Sequence, residues 1–212
     1  MFRSQYYGLM KMLAAEKRAA YNVVTQDIGL QFVRQIYKTE EITVDLWDLP
    51  ARIRGAYMCE DDDPSVLINR NLPKEPRLFA MVHELKHHYC DRAAIAKGQI
   101  KCGDYNANEA IEIGAEIFSA EFIFPEAEFL QAAESNGIVA GKCTPEDVVR
   151  LKQSCGAPVS YKFLQKRLEW FEIIEPKQFG KIQFQKLEEQ LYGIPIYKQD
   201  WFKRRRALKR PL

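Results

Sequence analysis

The histidine content of the chain most constrains what it can fold into, because all three histidines of the 212 residues lie in one short segment. Within that segment, residues 83–87 spell HELKH, an HExxH motif. Residues four apart share one face of an α-helix, so His83 and His87 can offer two imidazoles to one metal ion, with Glu84 beside them. The opposite side of the predicted helix is an apolar stripe, formed by Leu78, Val82, Leu85 and Tyr89. The motif therefore predicts half of a catalytic zinc site on the floor of a cleft, with Glu84 as general base.

The third protein ligand has to be another residue type. His88 points about 100° away from His87 around the helix, and no histidine lies elsewhere in the chain. Since catalytic zinc usually has three protein ligands, a carboxylate or a cysteine is expected. Segment 108–125 offers carboxylates on one face of a predicted helix whose other face is apolar. That polar face consists of Glu109, Glu112, Glu116 and Ser119. An ordinary solvated acidic face would have the same pattern.

The two segments together resemble the ImmA/IrrE metallopeptidase family. Its pattern is a hydrophobic lead into HExxH, then a helix of the form ExxA-(Asn/Asp)-xFA that ends in an apolar run and proline. Here FAMVHELKHH and EIGAEIFSAEFIFP follow in that order. The strand SVLIN at 65–69 and a VS…RL helix at 159–168 extend the resemblance to about residues 20–175.

The resemblance assigns roles by position. It makes Glu84 the catalytic residue and implies three zinc ligands: His83, His87 and Glu112. Glu116 stands where the family usually has Asn or Asp, and we expect it to accept the free ring N–H of a ligand histidine. Lys86 stands where a small residue is common, so it is a departure that removes no ligand.

The pattern of elements predicts an α+β fold, and the resemblance implies a zincin-like core. The predicted order is helices at 4–25 and 27–38, then strands at 42–47, 56–59 and 66–68. The three strands are expected to form a small antiparallel sheet. By resemblance, this sheet lies over the HExxH helix, and segment 55–59 is the candidate edge where a peptide adds as a further strand. Three helical patterns then follow, at 126–134, 144–154 and 160–170.

Three segments are expected: a metallopeptidase core at 1–125, a helical subdomain at 126–175 packed on it, and an extension at 176–212. The last two helical patterns also have the outline of a helix-turn-helix, but their moderate basic content favours packing on the core. The extension ends in a basic tail of Lys203, Arg204, Arg205, Arg206, Lys209 and Arg210. Such a run can hold nucleic acid, and a disordered solvated tail has the same composition.

Composition indicates an ordinary globular protein, with 47% hydrophobic and 28% charged residues. The chain has neither an apolar run of about 18 residues that could span a membrane nor a signal-peptide pattern, so a cytoplasmic location is expected. Five scattered cysteines fit reduced thiols. Cys90 and Cys102 flank the loop between the two site helices, but without a CxxC pair they are a weak prediction of a second metal site.

These features predict a zinc-dependent endopeptidase. The resemblance implies that its substrate is a separately encoded helix-turn-helix repressor, whose cleavage derepresses a mobile-element, phage or stress regulon. The alternative is a non-catalytic module of the same fold that binds a repressor or DNA, although a structural metal site has no need of Glu84. An aminopeptidase would need a site for a free α-amine, which the sequence does not show. With no histidine left to stabilise an oxyanion, three tyrosines are candidates: Tyr57, Tyr105 and Tyr161.

Overall fold

The structure is a computed structural model that describes residues 3–100 and 108–195. It begins with helices α1 (Arg3–Ala20) and α2 (Leu30–Thr39), followed by strands β1 (Thr43–Trp47), β2 (Gly55–Glu60) and β3 (Asp63–Asn69). Six helices follow: α3 (Lys74–Ala96), α4 (Glu109–Ile123), α5 (Glu126–Ser135), α6 (Pro145–Ser154), α7 (Tyr161–Trp170) and α8 (Phe184–Tyr192). The predicted α+β class is confirmed. Within the described ranges, no helix is both long and apolar enough to cross a membrane.

The three strands form one sheet in the order β1-β3-β2. Strands β2 and β3 are an antiparallel hairpin whose two-residue turn, Asp61 and Asp62, has positive φ at both positions, as type I′ turns require. Strand β1 pairs with β3 in parallel, with Val44 opposite Val66. The prediction of an antiparallel sheet is therefore wrong for this pair. Alternation of apolar side chains reports which face of a strand is buried, and carries no information about the direction of its neighbour.

Helix α3 lies in the middle of the fold, between the sheet and α4. Its 23 residues bury an unusually polar stretch, in which Lys86 and His87 are fully buried and Glu84 is 3% exposed. Helix α1 packs on α4, and an added Cβ at Gly114 would lie 2.6 Å from the ring of Tyr6. The polar side chains of α3 are thus held by elements on both sides.

Asn69, at the end of β3, fixes the loop that leads into β2. Its buried side-chain amide donates to the carbonyls of Leu49 and Ile53, at 2.9 Å each, and its Oδ1 accepts from the backbone N–H of Asn71. A satisfied buried amide of this kind holds irregular backbone in one conformation. The residues just before Gly55 are therefore anchored to the sheet.

The helices after α4 pack on the same core. Thr144 caps α6, as predicted, and forms a capping box with Asp147. Ser160 caps α7, and its hydroxyl accepts from the backbone N–H of Phe163. The inner faces of both helices are buried in the common core, as expected from packing on the core rather than from a free helix-turn-helix. Helix α8 was missed by the sequence analysis, although Phe184, Leu187 and Leu191 recur at helical spacing; Phe184 stacks on the ring of Tyr161.

Candidate metal centre

Two helices bring three of the predicted ligand residues together. His83 and His87 lie one turn apart on α3, and Glu112 reaches them from the first turn of α4. The distance from His83 Nε2 to Glu112 Oε2 is 3.0 Å, and that from His87 Nε2 to Glu112 Oε1 is 3.8 Å. One ligand atom from each residue lies within 4.8 Å of the other two. These three side chains could therefore hold one metal ion.

The surroundings of His87 fit the role of a metal ligand. The Nε2 atom of this ring is buried and makes no hydrogen bond to any of the described residues. A buried polar atom left in this state costs free energy, which a metal ion at that nitrogen would offset. Two imidazole nitrogens and one carboxylate oxygen form a donor set that suits zinc. The residues therefore fit the ion that the motif predicts.

A buried carboxylate orients His87 from behind. Asp91 Oδ2 lies 2.8 Å from His87 Nδ1 and accepts a hydrogen bond from Lys86 Nζ at 2.7 Å. Burial alone would raise the pKa of Asp91, but the hydrogen bonds from His87 and Lys86 lower it below its ordinary value. An ionised carboxylate only accepts, so the ring proton of His87 lies on Nδ1 and the lone pair on Nε2 faces the cluster.

Lys86 also connects the two helices of the site. Besides Asp91, its ammonium group donates to the carbonyl of Ile111 at 3.2 Å, directly before Glu112 in α4. Tyr6 of α1 lies beside the same ammonium group, 5.7 Å from ring centroid to Nζ. Lys86 was noted in the sequence only as a departure from the family pattern. In the fold it joins a ligand on α3 to the turn that carries the ligand on α4.

The hydrogen bond to a ligand histidine was predicted for Glu116. Glu116 is exposed, although it lies close enough to His83 for its charge to act on that ring. The contact seen in the structure comes from Asp91, which the sequence analysis missed. A signal was present, since Asp91 follows His87 by four residues and so shares its face of α3. Glu109, the other acidic candidate, is exposed and lies outside the cluster.

The carboxylates around His83 set its charge state. Burial lowers the pKa of this imidazole, but the hydrogen bond that it donates to Glu112 and the charges of Glu84, Glu112 and Glu116 together raise it above its ordinary value. The cluster is therefore strongly attractive to positive charge. That is the electrostatic condition a divalent ion requires.

Glu84 lies directly under the edge of the sheet. An added Cβ on Gly55, the first residue of β2, would lie 2.7 Å from Glu84 Oε1 and 3.1 Å from Ile68 Cδ1. Only glycine leaves room for the carboxylate at this position. Strand β2 is an edge of the sheet, so the predicted edge segment 55–59 lies beside the predicted base.

Two residues of the cluster, His83 and Glu112, line the floor of an open cleft of about 850 Å³, whereas His87 is fully buried. One wall is the loop that enters β2, and others come from the N-terminal turns of α3, from α4 and from α7. Phe79 of α3 and Phe163 of α7 meet edge to face in this wall, with ring centroids 6.1 Å apart. Since His83 and Glu84 are among the lining residues, a ligand in the cleft would lie next to both.

Neither of the two described oxyanion candidates lines this cleft. Tyr57 is buried and its hydroxyl lies 3.1 Å from His88 Nδ1, so His88 also points away from the cluster as predicted. Tyr161 stacks on Phe184 instead. The third candidate, Tyr105, lies outside the described residues, as do Cys102 and the basic tail. The four described cysteines, Cys59, Cys90, Cys143 and Cys155, are free thiols.

An α+β fold with HExxH on one helix, and with a second helix that adds a carboxylate to the same cluster, defines the class of HExxH metallopeptidases. Comparison with protein-family models agrees: the peptidase M78 family, described as the IrrE N-terminal-like domain, matches residues 49–169. This match covers more than half of the chain and both site helices, so the chain belongs to that family. The resemblance predicted from the sequence is confirmed. No curated protein matches the chain significantly.

Proposed function

We propose that the protein is a zinc-dependent endopeptidase. One observation carries the proposal: His83, His87 and Glu112 place a nitrogen or oxygen each within 4.8 Å of one another, and His83, Glu112 and Glu84 line the floor of an open cleft. A structural metal site would be closed on all sides, whereas a catalytic one keeps an open position. Membership in a peptidase family supports the same conclusion.

The residues of the cleft have separate roles in the proposed reaction. His83, His87 and Glu112 hold the ion, and Asp91 keeps His87 in the tautomer that binds it. Zinc bound there supplies the Lewis acidity that activates water and polarises the scissile carbonyl. Glu84 takes the proton of the attacking water and delivers it to the nitrogen of the leaving amine. Strand β2 offers its free edge to the backbone of an extended substrate.

The proposed substrate is a separately encoded helix-turn-helix transcriptional repressor in the cytoplasm, cleaved to release a mobile-element, phage or stress regulon. Resemblance to the family supports this substrate. The proposed division into a core at 1–125, a helical subdomain at 126–175 and an extension at 176–212 places the cleft between the first two, because α7 forms one wall. The basic tail is the proposed contact for any nucleic acid near the repressor.

Zinc content of the purified protein tests the ligand set. The parent is expected to bind about one zinc per chain, and Glu112→Gln, which keeps the side-chain volume, is expected to lose most of it. Glu109→Gln is the matched control, since it makes the same change one turn earlier on α4 and outside the cluster. A parent without zinc after loading, or equal zinc in the parent and Glu112→Gln, would contradict the assignment.

Turnover separates the peptidase from a module that only binds. A candidate repressor, or a library of proteome-derived peptides, is incubated with the zinc-loaded parent and with zinc-loaded Glu84→Gln, and new termini are identified by mass spectrometry. Cleavage by the parent and its loss in Glu84→Gln, at equal zinc content, supports the enzyme. Repressor binding that is identical in both proteins, without new termini in either, supports the alternative, a non-catalytic regulatory module.

A further inference from the structure

The positive and negative side chains that line the cleft are not equal in number. Several charged lining residues already have partners: Lys11 pairs with Glu126 at 2.5 Å, Glu75 with Lys152 at 3.0 Å, and Arg167 with Glu121 at 3.4 Å. Glu84 and Glu112 belong to the proposed metal centre. The ion pairs are neutral, and a divalent ion would balance the two carboxylates of the metal centre, so these groups together present no net charge to a substrate.

Four further cations line the cleft: Arg52, Arg54, Lys162 and Lys166. All four are exposed, and none forms an ion pair with another described side chain. Glu116 is the single acidic lining residue outside the metal centre and the ion pairs above, counted over the described ranges. The cleft therefore presents a surplus of positive charge to whatever enters it.

The positions of these cations are set by the fold. Arg52 and Arg54 lie on the loop whose carbonyls are held by Asn69, immediately before Gly55 and the edge of the sheet. Lys162 and Lys166 are one turn apart and therefore share a face of α7. The two pairs come from separate elements that line the same cleft.

Between the cations, the walls are apolar. Phe79 and Phe163 pack edge to face, Ile117 of α4 lines the same space, and Trp170, four residues after Lys166, is 53% exposed. An exposed tryptophan beside a cleft is typical of a binding surface, because its apolar area otherwise remains in water. A ligand that is complementary both to the apolar walls and to the cations has an apolar side chain flanked by acidic groups.

We propose that the cleft selects an extended peptide segment in which acidic residues flank an apolar residue near the cleaved bond. This inference rests on the proposed endopeptidase function and adds the chemical class of its substrate segment. The basic tail of the chain, with six cations in eight residues, is excluded as the occupant by charge. The apolar walls favour a peptide over a nucleic acid, because a nucleic acid carries a phosphate at every nucleotide and would place some of these charges against those walls.

Binding to zinc-loaded Glu84→Gln tests the proposal without turnover. The probes are three fluorescein-labelled peptides of about 12 residues, roughly 40 Å when extended, with one apolar core and flanks of Glu, Lys or Gln. Each exposed ion pair changes affinity by about two- to fivefold, so the Glu-flanked peptide should bind about tenfold tighter than the Gln-flanked one at low salt. The difference should shrink at high salt. A labelled oligonucleotide of similar length is the competing probe.

A charge reversal on α7 provides the second measurement. In the Glu84→Gln background, the double variant Lys162→Glu/Lys166→Glu should bind the Lys-flanked peptide in preference to the Glu-flanked one. Lys142→Glu/Lys181→Glu makes the same change of net charge at exposed positions outside the cleft, and should keep the preference for Glu.

The outcomes separate this inference from the proposed function. No binding, equal affinity for the three peptides, an unchanged preference after the α7 reversal, or tighter binding of the oligonucleotide would each overturn the acidic-peptide proposal. Cleavage of the bound peptides by the parent is measured in parallel. A Glu-flanked peptide that binds as expected, yet is never cleaved by the zinc-loaded parent, refutes the endopeptidase and leaves the charge selectivity standing.

Discussion

The buried pair of Lys86 and Asp91 makes a quantitative prediction for the variant Asp91→Asn. Both contacts of this carboxylate are made by Oδ2, so an asparagine oxygen can still accept from His87 and Lys86. The change removes the charge and keeps the shape. Lys86, which has no exposed side-chain surface, is then a buried cation without a counter-ion. Removing one partner of a buried pair costs about 3–5 kcal/mol of unfolding free energy.

An independent estimate of this loss of unfolding free energy has a similar magnitude. The folded protein can avoid an unpaired cation by deprotonating Lys86, and neutralising an ordinary lysine at pH 7 costs about 5 kcal/mol. Urea denaturation of the zinc-free proteins should therefore show Asp91→Asn less stable than the parent by about 3–5 kcal/mol. The double variant Lys86→Met/Asp91→Asn replaces the cation by an apolar side chain of similar length and should recover most of that loss.

Zinc affinity separates the two roles of Asp91. Loss of the carboxylate behind a ligand histidine typically weakens metal binding by about 10- to 100-fold. We expect this loss in Asp91→Asn and also in the double variant, because restoring stability does not restore the charge behind His87. Competition with a chromophoric chelator measures it. Parent-like zinc affinity in Asp91→Asn, or a double variant as unstable as the single one, would refute this reasoning.

Three further predictions concern the sheet edge, the packing of α1 and a helix cap. Gly55→Ala places a Cβ 2.7 Å from the proposed general base, so turnover should fall by about 100-fold at unchanged zinc content; equal turnover would contradict the proposed geometry. Gly114→Ala meets the ring of Tyr6 at 2.6 Å and should lower the unfolding free energy by about 1–3 kcal/mol, whereas Gly8→Ala, with open space around it, should not. Burial raises the pKa of Asp147, but hydrogen bonds from the N-cap threonine lower it below its ordinary 3.8. Asp147→Asn should therefore cost about 1 kcal/mol at pH 7, and thermal melts should show this difference vanish as the pH falls through the lowered pKa.

The features that could be read from the sequence are local ones. The spacing of His83 and His87 places both on one helical face whatever surrounds the helix. Thr144 and Ser160 cap their helices because the hydrogen bonds involved span only a few residues. The choice of Glu112 needed the family resemblance, since Glu109 and Glu116 satisfy the same helical periodicity.

Other features depend on which elements become neighbours, and these only the tertiary structure decided. Strand β1 could pair in either direction, and in the fold it runs parallel to β3 along the edge that the hairpin partner β2 leaves free. In the sequence, Lys86 is visible only as a departure from the family pattern. Its role depends on Asp91 and the carbonyl of Ile111, which become its neighbours only when the chain has folded. The cations of the cleft come from two segments more than 100 residues apart in the sequence. Helical and strand periodicity act over a few residues, whereas ion pairs and close contacts depend on distances that exist only after the chain has packed.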